Sequence, residues 1–232
     1  MTNNGWQAPT DADRLQCLRP LVIIGAGGHA VSVANVALSA GYTIQYFVDE
    51  NKKGLDLLGC RIVADIRDLG NLDALSFGIA VGDNAVRERA YNELQKLPEK
   101  LDFPTLVHAS ATISSFARIG KGTVVMPKAV VGPNSIVGEF CVINTQASID
   151  HDCVMLDYSS LAPAAVTGGD VKIGTRSAVL IGAVIKHGLR IGDDSIVGAN
   201  SYLNIDLPSN QVAYGTPAKQ VRFRKLGEPY FG

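Results

Sequence analysis

IGKGTVVMPKAVVGPNSIVGEFCVINTQASI, residues 119–149, carries an aliphatic residue at every sixth position and a small residue four places after each. The same phase extends in both directions. An aliphatic residue occupies every sixth position from Ile113 to Leu203, sixteen positions in which Thr167 is the one non-apolar member. Glycine follows directly at 120, 132, 138, 174, 192 and 198. The small position holds Ala117, Thr123, Ala129, Ser135, Cys141, Ala147, Cys153, Ser159 and Ala165. Chance does not keep one phase over about ninety residues. The physical meaning is a parallel β-helix of triangular section. Three hexapeptides close one coil of about 18 residues, and each inward aliphatic side chain stacks on the next coil at the ~4.8 Å strand spacing. Small residues suit the tight interior near the corners, and glycine lets the backbone turn there. Cys141 and Cys153 fall on the small inward position, so they read as packing residues rather than nucleophiles.

Residues 21–100 follow a different pattern. LVIIG (21–25) is a short apolar run ending at glycine, which suits a buried parallel strand. GHAVSVANVALSAG (28–41) has helical spacing, with Gly41 as its C-cap. TIQYFVDE (43–50) and SFGIAVGD (76–83) read as further strands, and NAVRERAYNELQKL (84–97) as a second helix with Asn84 as N-cap. This βαβ order predicts a small parallel sheet. The chain therefore divides into an N-terminal extension (1–19), an α/β domain (20–104), a β-helix (105–210) and a C-terminal tail (211–232).

Lys and Arg number 21 against 22 Asp and Glu, so no basic stripe points to nucleic acid. No apolar run approaches the ~18–20 residues that cross a bilayer, and the polar start MTNNGWQAPTDADRLQC lacks the apolar core of a signal peptide. The four cysteines form no CxxC. A soluble, reduced, cytoplasmic protein is expected.

The repeat [LIV]-G-x-x-[STAC]-x resembles that of the hexapeptide-repeat acyltransferases. LVIIGAGGHA (21–30), FVDEN (47–51), AVGDNAVR (80–87), INTQASIDHDC (143–153) and YGTPAKQVR (214–222) occur in the order seen in sugar acetyltransferases of the sialic-acid O-acetyltransferase type. The resemblance is nearest to enzymes that N-acetylate a nucleotide-linked 4-amino-4,6-dideoxy sugar, as in bacillosamine or perosamine synthesis. It covers roughly residues 20–225. It implies a left-handed β-helix, acetyl-CoA as co-substrate, no metal, and a homotrimer with each active site in a cleft between neighbouring prisms. Flat, partly apolar prism faces suit such a trimer.

GAGGHA (25–30) follows a strand, opens a helix and fits G-x-G-x-x-A, with Asp49 at the end of the next strand. A dinucleotide fold needs two βαβαβ halves, and this domain has room for one. A half-Rossmann pocket for a nucleotide sugar is the reading preferred, with the anion at the helix N-terminus after Gly25, Gly27 and Gly28. A purely structural turn remains the alternative. By resemblance, Asp49 and Glu50 face the base or ribose, and Asn84 and Arg87 lie near the loop. His29 is either a ligand contact or a helix-start packing residue.

His151, two positions after inward Ile149, is expected to leave the core at a prism corner. No second histidine or cysteine stands at ligand spacing. His187, two coils on, lies about 10 Å away, either lining the same groove or inert. An imidazole titrates in the range a general base needs, and a neighbouring carboxylate, Asp152 or else Asp150, would orient it. In the resembling enzymes the corresponding histidine is the proposed base and the following acid its partner, which are His151 and Asp152 here. Asn144 matches a substrate-contacting asparagine. Gly169, Ile181 and Gly198 match positions lining the CoA groove. Lys219 either approaches the CoA phosphates or is simply solvated. The bacillosamine-type enzymes carry a second histidine nine residues after the base, against acetyl-CoA; Ser160 stands there in this chain, able to donate a hydrogen bond. N-acetylation is preferred over O-acetylation of a sialic acid or another sugar hydroxyl. A non-catalytic scaffold, a zinc-dependent carbonic-anhydrase-like prism and an NAD-linked oxidoreductase are the competing classes.

Overall fold

The computed structural model describes residues 18–230. The expected N-terminal extension falls almost wholly outside them, as does Cys17. Five strands form the first sheet: β1 (Leu21–Ile24), β2 (Ile44–Val48), β3 (Asp56–Leu57), β4 (Cys60–Val63) and β5 (Ser76–Ile79), in the order β3-β4-β2-β1-β5. β1 runs parallel to both β2 and β5, as the βαβ pattern predicts. The β3–β4 hairpin was not anticipated, because its strands are too short to show a period.

Helix α1 (Gly28–Ser39) ends at Ala40, and Gly41 follows at φ +91, a conformation that favours glycine. Its apolar side, Val33, Val36 and Ala37, packs on Leu21, Ile23 and Phe47 of the sheet and on Leu106, Val124 and Met126 beyond it. That contact seats the sheet domain on the β-helix. Helix α2 (Asn84–Leu94) is capped by Asp83, whose carboxylate accepts from the Ala85 and Val86 amides at 3.0 Å each. The expected N-cap, Asn84, is instead the first helical residue.

From Leu106 onward the chain makes two-residue strands, each paired in parallel with the strand one coil away. Val131 pairs with Ile149, Val137 with Met155 and Ile143 with Leu161, a constant step of 18 residues. The three stacks are the faces of a prism. Face 1 holds the strands at 112–113, 130–131, 148–149, 166–167, 184–185 and 202–203. Face 2 runs from Arg118–Ile119 to Arg190–Ile191. Face 3 runs from Leu106–Val107 to Ile196–Val197, followed by the antiparallel pair Gln211–Gly215 and Ala218–Phe223. Every inward aliphatic position from Ile119 to Leu203 is buried in one continuous core, as the hexad phase predicts.

On several coils the small inward position also supplies a hydrogen-bond donor. Thr123, Ser135 and Ser177 are fully buried, and their hydroxyls donate to the carbonyls of Gly138, Asp150 and Gly192 at 2.6–2.8 Å. The thiols of Cys141 and Cys153 occupy the same slot, donating to Leu156 and Gly168. Burial pushes the Cys141 thiol up to about 11. Both cysteines are packing residues, as expected.

Candidate active site

His151 lies at the corner between faces 1 and 2. Gly132, one coil earlier, has no room for a side chain: a Cβ would lie 2.7 Å from the Asp150 carbonyl carbon and 2.9 Å from the His151 nitrogen. Gly169, one coil later, lies under the His151 ring, which an added Cβ would push aside. The imidazole is thus laid against a bare backbone. Asp152 follows at φ 59, and its Oδ2 lies 2.7 Å from His151 Nδ1. A proton on Nδ1 donated to that carboxylate leaves Nε2 to accept another. Asp152, then Asp150, and more weakly Asp170 of the next coil, raise the His151 pKa above the ordinary histidine value. The hydrogen bond from His151 holds Asp152 below the usual carboxylate range, with a second from Asn134 adding to it. Both side chains stay more than half exposed, 56% and 53%. Asn134 was missed in the sequence because nearly a full coil of chain separates it from the histidine. The 18-residue step between 134 and 152 was the signal available.

The other expected site residues are distributed over the fold. Asn144, Ile181 and Gly198 lie at the corner between faces 3 and 1, the opposite edge of face 1 from His151. Asn144 Oδ1 accepts from the Thr145 backbone amide at 2.8 Å, and Ile181 is exposed. Lys219, paired with Tyr214, approaches this corner, because Tyr214 packs on Gly198. Ser160 projects from face 3 and is 8% exposed, with its hydroxyl 3.5 Å from that of Tyr230. His187 is exposed on the His151 corner, two coils on. Among the described residues, no three His, Cys, Asp or Glu side chains gather as a metal site.

At the sheet, Gly25 has φ +107, and a Cβ there would meet the Ala80 carbonyl at 2.9 Å, so the fold itself requires this glycine. Gly27 and Gly28 are different. Both are exposed and face open space, and Gly27 caps α1 without any side-chain hydrogen bond. Asp49 caps the 3-10 turn Glu50–Lys52 through the Asn51 amide, and Lys52 Nζ returns to the Ala26 carbonyl at 2.8 Å. Glu50 is exposed. His29 keeps its Nε2 shielded and unpartnered, and burial, with the Arg87 charge, lowers its pKa to about 4.

Two expected ligand contacts are corrected. Arg87 is 1% exposed and spends all its donors inside the protein: on the carbonyls of Phe140 (2.7 Å), Val81 (2.8 Å), Gly82 (3.1 Å) and Tyr158 (2.9 Å), and on Asn84 Oδ1 (2.7 Å). Asn84 in turn donates both amide hydrogens to the carbonyls of Arg176 and Ser177. No donor remains for a substrate. The pair joins α2 to the corner between faces 2 and 3.

This geometry has close counterparts among known proteins. Residues 20–94 match the family model of the PglD N-terminal domain, and residues 110–145 that of the bacterial transferase hexapeptide (six repeats). PerB from Caulobacter crescentus, solved with CoA and GDP-perosamine, superposes with a TM-score of 0.80 at 33% identity, over 88% of this chain and 97% of its own. The chain belongs to the hexapeptide-repeat sugar N-acetyltransferases. The acetyltransferase domain of PglB from Neisseria gonorrhoeae, in complex with acetyl coenzyme A, gives a TM-score of 0.82 at 31% identity, over 88% and 99% of the two chains. GDP-perosamine N-acetyltransferase of Escherichia coli O157:H7 is 27% identical over 151 residues, 63% of this chain and 67% of that protein. For this acetyltransferase the family also fixes the prism as a left-handed β-helix.

Proposed function

We propose that this acetyltransferase moves the acetyl group of acetyl-CoA onto the 4-amino group of a nucleotide-linked 4-amino-4,6-dideoxy sugar. The observation that carries the reading is the His151–Asp152 pair, with its 2.7 Å contact and its ring laid against Gly169. His151 Nε2 accepts the proton that the amine loses as its nitrogen bonds to the thioester carbonyl carbon. Asp152 stabilises the imidazolium so formed. The carbon–sulfur bond then breaks, and the sulfur takes the proton back as CoA leaves. No acyl-enzyme is needed, since the two buried cysteines are protonated packing residues.

The acceptor half of the site rests on Gly27 and Gly28, whose open amides suit a diphosphate at the start of α1. Relatives bound to GDP-perosamine and CoA support the same substrate classes. A homotrimer explains the split between the two edges of face 1. His151 of one copy would meet the Asn144–Ile181–Gly198 corner of the next, completing a site that one chain leaves in halves. Four of the six outward residues of face 1, Val130, Val166, Val184 and Tyr202, are exposed and largely apolar, which suits burial between copies.

The test is CoA release, followed with a thiol reagent, using GDP-, UDP- and dTDP-linked 4-amino sugars and free sialic acid as acceptors. Turnover with a nucleotide-linked amine is expected. Release with sialic acid alone overturns the reading in favour of O-acetylation. His151→Ala is expected to lower turnover by about 10²–10⁴-fold while CoA affinity and assembly persist; near-normal turnover removes His151 as base.

A further inference from the structure

Asp152 uses its two oxygens differently. Oδ2 meets His151 Nδ1 at 2.7 Å, while Oδ1 accepts from the Asn134 amide at 3.2 Å. Asn134 comes from the preceding coil, 18 residues earlier on the same corner, at φ 60 against φ 59 for Asp152. The backbone there does not demand asparagine. Lys128, Phe140, Gln146, Tyr158, Ala164 and Arg176 hold the same left-handed conformation at other corners of this prism. What asparagine adds is an uncharged donor facing an acid, one coil from the histidine.

We propose that Asn134 is a positioning residue for acetyl transfer, pinning the Asp152 carboxylate so that its other oxygen stays on the imidazole. The inference rests on His151 being the base. An exposed carboxylate with one partner samples several rotamers, and a second bond from a rigid coil narrows that choice. Gly169 leaves the ring a place to lie and Asn134 confines the acid, so the two coils flanking the histidine each act on one member of the pair. Asp150 on the same corner and Asp170 on the next coil are the further charges that act on the ring. Neither receives a hydrogen bond from Asn134, whose amide therefore distinguishes Asp152 from the surrounding acids.

The experiment compares Asn134→Gly and Asn134→Asp in the full-length protein, with kcat/KM followed against pH and KM measured for both substrates. Glycine tolerates the φ 60 corner and removes only the amide. It is expected to lower kcat about fivefold with both KM values unchanged, and to move the acidic limb to lower pH, because a loosened Asp152 supports the imidazolium less. Aspartate sets a second carboxylate against the first, and its added negative charge moves the limb to higher pH. Opposite displacements carry the proposal. If both variants keep the wild-type limb and kcat, or lose only thermal stability, it is overturned. His151→Ala separates the two readings. A slow His151→Ala with unaltered Asn134 variants sinks the positioning role alone, whereas a fast His151→Ala sinks the base as well.

Discussion

The imidazole of His151 has glycine on the coil before and the coil after, and each is needed for a different reason. Gly132 lets the corner at Asp150 and His151 come close, and Gly169 leaves the ring a place to lie. Gly169→Ala is therefore expected to displace the ring while the inward core stays intact. Turnover should fall about 10–100-fold, as misplacement of a catalytic group does, with the melting temperature nearly unchanged; kinetics beside a thermal melt checks this. The pair also sets a pH dependence. Because Asp152 and Asp150 raise the histidine pKa, the base frees its nitrogen only above the ordinary value of about 6.5. The rate should climb with pH through a limb displaced upward. Asp152→Asn removes the larger influence, so the limb should move down in pH and the plateau should drop, read from kcat/KM profiles. The histidine and its acid were legible in the sequence as SIDHDC, but their seat was not. Gly132 and Gly169 lie 19 and 18 residues from His151 in the chain, and only the coil makes them neighbours.

Helix α2 shows why the same reasoning misjudged Asn84 and Arg87. Their motif position beside the glycine loop was legible, yet their hydrogen-bond partners lie on prism corners that no local pattern reveals. Arg87 reaches Phe140 and Tyr158, 53 and 71 residues away, and Asn84 reaches Arg176 and Ser177, more than 90 away. Beside them, Glu88 pairs with Arg176 at 3.0 Å, and Arg176 pairs with buried Asp194 at 2.6 Å. The helix is held on the β-helix by charge and amide as well as by apolar packing, with Tyr91 against Phe140 and Tyr158. Arg87→Met would leave four carbonyls and the Asn84 side chain without their donor, costing at least about 3 kcal/mol. Thermal unfolding should show that loss, and Arg87→Lys should not restore it, since an ammonium cannot span acceptors arranged for a planar fork. Should Arg87→Met melt like the wild type, the clamp is not what holds the helix.

At the scale of the molecule, the prism was legible almost residue by residue, because one inward position in six repeats without interruption. The small sheet was legible in order but not in its hairpin. Which outer face meets another copy was not legible, since outward residues obey no period. We propose face 1 for that contact, so Val166→Glu with Val184→Glu should leave each chain folded but break a trimer into single chains without turnover, as light scattering and CoA release would record. The pairing of residues 18 apart, which shortens to 16 only where the last coil closes, has one more consequence. It works as a reading frame for insertions and deletions. Gaining or losing six residues would hand every later side chain to the wrong wall of the prism, and a single residue would turn the aliphatic column inside out. Only a whole coil is silent, and it would lengthen the groove beyond His151 by one step of about 4.8 Å. The height of the prism between the His151 corner and the Lys219 hairpin is therefore set in steps of about one coil.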